Sequence, residues 1–157
     1  MGVLSVFVVF ISGVLGYNVS QKYSKRLKFY SVLSCFCDYL VSNLSFFKST
    51  IEDSFNQFIS ANKYKLQNEL CSILEVIKNN NAGLNIPYLQ TSENEEVERF
   101  FKRVGDYSDD VELKRMENFN GWVKKKLLLC EEEKTKKQPL VYKLSIVFGL
   151  VVAIILA

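Results

Sequence analysis

The chain has 157 residues, a formal net charge of +3, and a composition that is 48% hydrophobic and 13% aromatic. So apolar a chain falls outside the disordered class, and its length leaves room for one compact domain beside any membrane segments. There is no histidine, the four cysteines lack a paired C-x-x-C spacing, and no glycine-rich phosphate loop is present. The usual zinc sites, Ser-His and Cys-His nucleophile pairs and nucleotide hydrolysis are therefore set aside, and no cofactor or small-molecule substrate is expected.

From Gly2 to Tyr17 the chain reads GVLSVFVVFISGVLGY, and no charge appears before Lys22. That is near the short end of the ~17–25 residues needed to cross a bilayer. Basic residues (Lys22, Lys25, Arg26, Lys28) follow the run instead of preceding it, the reverse of a signal peptide, so a retained anchor over 1–21 is expected. Arg26 stands at the lipid boundary, where it marks topology or meets a headgroup phosphate or a partner carboxylate. Gly13 and Gly16 are candidates for close helix packing in lipid, with Ser12 and Gly16 forming a small-x-x-x-small pair.

Between the anchors, residues 22–138 carry apolar side chains at helical steps. Tyr23, Leu27, Tyr30, Leu33, Cys37, Leu40, Leu44 and Phe47 share one face of a long first helix. Ser49-Thr50-Ile51-Glu52 resembles a capping box opening a helix with Phe55 and Phe58. A third helix carries Leu66, Leu70, Ile73, Leu74 and Ile77, and Asn79 to Gly83 stops it. Leu84 to Gln90 is a linker, and Ser92-Glu93-Asn94-Glu95 is a second capping box before Val97, Phe100, Phe101 and Val104. Gly105 sits where a C-terminal stop belongs. Ser108 or Asp109 caps a last helix with Met116, Phe119, Val123, Leu127 and Cys130, which Pro139 kinks or breaks.

Trp122 lies beside that apolar stripe, expected in the core instead of at an exposed partner contact. All four cysteines are expected as small buried hydrophobes in a reducing compartment. The clusters Glu93-Glu95-Glu96-Glu98 and Glu131-Glu132-Glu133 read as solvated charge or helix-start residues. Lys124–Lys126 is expected to meet anionic lipid and not nucleic acid. Leu144 to Ala157 is apolar throughout, so 139–157 is a second membrane helix, with Ser145 and Gly149 as its small-residue pair. Positive charge flanks the inner side of both anchors, which puts the middle domain in the cytoplasm and both termini across the membrane. The expected fold is all-α: an antiparallel bundle of about five helices between N- and C-terminal transmembrane helices.

Four segments in colinear order resemble the stage III sporulation protein AB family. At the membrane exit, Gly16-Tyr17, Ser20, Tyr23 and Arg26 look like the family's glycine-aromatic, small, tyrosine and arginine run, with Leu27 where proline is frequent. NLSFFKSTI, from Asn43 to Ile51, is similar to the segment entering the second helix, with Thr50 in place of a frequent proline. Val104-Gly105 opens the third, where Ser108 and Glu112 replace the family's aspartate and glutamine. In the fourth, Ser145 and Gly149 occupy a pair of glycines.

The resemblance implies a mother-cell protein in the membrane around the forespore, part of a channel or export complex that supports late forespore gene expression. It implies a bundle similar to the cytoplasmic domain of the inner-membrane platform protein of type II secretion and type IV pilus systems. The implied partners are a stage III sporulation protein AA-like ATPase, other stage III sporulation membrane proteins and the bilayer. Gly13, Gly16, Tyr17, Tyr23, Arg26, Gly105 and Gly149 are the candidate interface residues. The rivals are a generic membrane-tethered adaptor unrelated to sporulation and a redox or lipid-modifying enzyme using the cysteines.

Overall fold

The computed structural model describes residues 2–46, 51–61, 67–79, 83–104 and 109–155. Its elements there are five helices and no strand: α1 Gly2–Phe46, α2 Ile51–Ala61, α3 Gln67–Lys78, α4 Thr91–Lys102 and α5 Asp109–Ile155. The expected anchors over 1–21 and 139–157 are therefore not separate elements. Residues 2–21 belong to α1, and residues 139–155 to α5. In α1 no proline or glycine lies between Gln21 and Lys28 to interrupt the ladder. Of the two expected effects, a kink or a break, Pro139 does not break α5. A proline removes one i→i−4 bond and crowds one carbonyl, and helix-forming sequence on both sides carries the chain through.

The chain forms two compact units, Met1–Leu27 with Leu128–Ala157, and Lys28–Leu127. The second is built around aromatic rings. Phe36 of α1 packs on Phe55 and Phe58 of α2, with ring centroids 4.0 and 5.0 Å apart. Phe101 of α4 meets Phe55, and Phe100 stacks on Phe119 of α5 at 3.7 Å. Tyr30, Leu33, Cys37 and Leu40 are buried along α1 as their spacing predicts, and Phe29, Val32 and Phe36 widen that face. Burial of each such side chain stabilises the unit by about 1.5–3 kcal/mol. Trp122 is half-buried at the margin of this core, between Phe119 and Tyr30.

The expected linker is instead a fastened strap. Leu84, Ile86 and Leu89 are buried. Side chains from the first turns of α4 take up its backbone groups. The Leu84 N–H donates to Glu98 Oε2 at 2.8 Å, the Ile86 N–H to Asn94 Oδ1 at 3.0 Å, and the Gln90 N–H to Glu93 Oε2 at 3.1 Å. Tyr88 donates to Glu69 Oε1 from the other side. The capping frame is accordingly displaced from the expected one: Gln90 is the N-cap and Glu93 the N3 residue. Glu93 is also no solvated charge, being 1% exposed and paired with Lys126 Nζ at 3.0 Å. A carboxylate that caps a helix and answers a lysine can be buried, because its charge and lone pairs are satisfied.

The stop after α3 begins as expected, with the Asn79 N–H donating to Glu75 O, and α4 closes on Arg103. The Ser49–Glu52 box and the Gly105 stop lie outside the described residues or side chains. Of the cysteines, Cys37 and Cys130 are buried, but Cys35 and Cys71 are exposed. Those two sit on the outer sides of α1 and α3, where the helical period turns them away from the core.

Candidate functional site

The unit formed by Met1–Leu27 and Leu128–Ala157 is an antiparallel pair made from the start of α1 and the end of α5. Small residues determine how close the helices come. A Cβ placed on Gly16 would collide with the Cβ and Oγ of Ser145, and one on Gly149 with Ser12 Oγ. The two small-x-x-x-small pairs therefore face each other, which is the geometry that lets helix backbones approach in lipid. Ser12 and Ser145 donate back to their own helices, to Val9 O and Val141 O at 2.9 Å, so neither hydroxyl is left bare in apolar surroundings. Gly13 is different. A Cβ there would meet nothing within 4 Å, so it faces away from the α5 contact.

Further along the pair the contacts turn polar. Ser24 Oγ donates to Gln138 Oε1 at 3.3 Å, and Arg26 Nη1 to Glu133 Oε2 at 2.5 Å. Arg26 and Glu133 are only 13% and 24% exposed, and Lys137 reaches the other Glu133 oxygen at 2.8 Å. Hydrogen bonding to Glu133, then its charge, raises Lys137 above the ordinary ammonium value. Arg26, expected at a headgroup or partner carboxylate, thus has an internal carboxylate. Sequence spacing gave Glu133 only its Lys137 partner, because the Arg26 contact joins residues 107 apart.

Tyr17 is exposed, Tyr23 half-buried, and Gly105 lies outside the described residues. The pair's other faces are apolar and open. Phe7, Phe10, Ile11 and Leu15 on α1 and Leu144, Phe148, Ile154 and Ile155 on α5 are all exposed. A patch of that size on a soluble monomer would be a liability, and against lipid it is the ordinary state. Among the described residues one helix, Asp110–Ile155, contains a stretch long and apolar enough to cross a membrane. No group of three or more metal-ligating side chains occurs among them.

A family model for stage III sporulation protein AB matches residues 2–157. The chain belongs to that family. Both helices of the pair fall inside the match, and so does the whole Lys28–Leu127 unit. Membership in the stage III sporulation protein AB family is consistent with a role in sporulation and points to other sporulation proteins as partners. No curated protein and no solved structure matches the chain.

Proposed function

We propose that this stage III sporulation AB-family protein is a non-catalytic membrane platform of a sporulation channel or export complex, docking a secretion-type, AA-like ATPase in the cytoplasm. The observation that carries the reading is the family match over residues 2–157. Both apolar ends, 1–21 and 139–157, span the mother-cell membrane around the forespore in this reading, with the bundle on the cytoplasmic side. Support comes from the exposed apolar side chains of the α1–α5 pair and from the lysines that follow or precede them. The small-residue faces of the two anchors are spent on each other. Contacts with other channel subunits are therefore assigned to the outward faces of the pair.

The test is recovery of tagged full-length protein from sporulating cells in mild detergent, with co-purifying proteins identified by mass spectrometry. An AA-like ATPase and other stage III membrane proteins are expected, and the purified ATPase should bind the purified platform directly. Recovery of an abundant protein alone, or with unrelated partners, would overturn the platform in favour of a generic tether.

A further inference from the structure

One face of the α1–α5 pair carries a groove in two connected parts. The apolar part, about 440 Å³, is lined by Val9, Phe10, Gly13, Val14 and Ile146 and ends at Tyr17 and Tyr142. The same two tyrosines also line the polar part, about 830 Å³, with Gln21, Glu131, Lys134 and Gln138 among its other walls. Both volumes fall in the ~300–1,000 Å³ range of ligand sites. From end to end the lining runs hydrocarbon, then aromatic hydroxyl, then one carboxylate and one ammonium. Among the described residues neither Glu131 nor Lys134 forms an ion pair, with each other or with any other side chain.

We infer that this groove binds a phospholipid with a zwitterionic amino headgroup, of the phosphatidylethanolamine class. The inference rests on the reading of the pair as membrane-spanning. A groove open to a bilayer does not stay empty: acyl chains fill it unless a protein helix does. The order of the lining matches a phospholipid along its length. An acyl chain lies against Val9, Gly13 and Ile146, and the ester region lies at the Tyr17 and Tyr142 rings, which suit the interface. The phosphate meets Lys134, and the primary ammonium donates to Glu131. A partner helix would match the apolar part alone and leave Glu131 and Lys134, both exposed, without answering charges. A purely anionic headgroup would answer Lys134 but place its charge against Glu131. A quaternary ammonium has no N–H to donate to that carboxylate.

The test uses the full-length protein in nanodiscs of matched phosphatidylethanolamine, phosphatidylglycerol and phosphatidylcholine content, with retained lipid read by native mass spectrometry after gentle release. The wild type is expected to retain the ethanolamine lipid at least fivefold above its share. Glu131→Gln should abolish that preference while leaving total bound lipid nearly unchanged. Gly13→Leu, whose added atoms enter open space and not the α5 contact, should lower retention of every lipid severalfold. Equal retention of all three lipids by the wild type, or a Glu131→Gln variant as selective as wild type, would overturn the inference. Failure of the protein to incorporate into discs at all would overturn the membrane reading itself, which separates the two.

Discussion

Arg26 belongs to a network and is more than a topological marker. Its guanidinium and the Glu133 carboxylate are both mostly removed from water, so truncating either breaks a part-buried charge pair, although Glu133 keeps Lys137. Arg26→Ala should destabilise the α1–α5 pair by about 1–3 kcal/mol, below the figure for a fully buried pair because water still reaches Glu133. The Arg26→Ala/Glu133→Gln double variant should recover part of that loss in thermal melts in detergent, and a double variant no better than the single would argue against the pair. Glu98 gives a prediction in pH. The Lys102 ammonium, and after it the Leu84 N–H, hold its carboxyl below the ordinary 4.5. A depressed folded pKa contributes stability above the unfolded value and loses it as pH falls through the folded one. Stability should therefore drop on acidification below about pH 4.5, and Glu98→Gln should flatten that slope. The thiols separate by burial, which also holds Cys37 protonated well above its usual range. Two of the four free cysteines, Cys35 and Cys71, should react with an alkylating reagent in the native protein, and all four after unfolding. At this scale the sequence was least legible: Glu93 and Arg26 look like surface charges until residues 33 and 107 positions away arrive beside them.

Helix existence and type were legible for all five elements, because their apolar residues recur at steps of three and four over long stretches. Boundaries were harder. Nothing local announces that the apolar ends share α1 and α5 with the residues beside them, and Pro139 signals a break that flanking helical sequence overrides. The small-residue pairs were visible at Ser12, Gly16, Ser145 and Gly149, but spacing along one helix cannot reveal that each pair answers the other. The glycines make that arrangement testable. Gly16→Leu should force the helices apart and cost about 1–3 kcal/mol by overpacking, while Gly13→Leu should leave the melting temperature within a degree or two of wild type. Equal effects at the two positions would contradict the close approach at Gly16.

For the molecule as a whole, the proposed orientation has a readout in Cys71, which is exposed on α3 and far in sequence from either anchor. A membrane-impermeant thiol reagent should label it in inverted vesicles and spare it in right-side-out ones, and the opposite pattern would reverse the topology. The apolar stretch of α5 was readable from hydropathy, whereas neither composition nor periodicity marks a surface for docking an ATPase. The antiparallel contacts Ser12–Gly149, Gly16–Ser145, Ser24–Gln138 and Arg26–Glu133 also bear on how the protein is made. They join stretches separated by the entire Lys28–Leu127 unit. At ~5–20 residues per second, the ribosome emits that unit over about 5–20 s while the first stretch has no mate. Its Gly16 notch and its Arg26 charge stay without Ser145 and Glu133 until the second stretch is made. Pairing of the two stretches is thus the contact of greatest sequence separation within their unit, and separation of that kind makes a contact late to form.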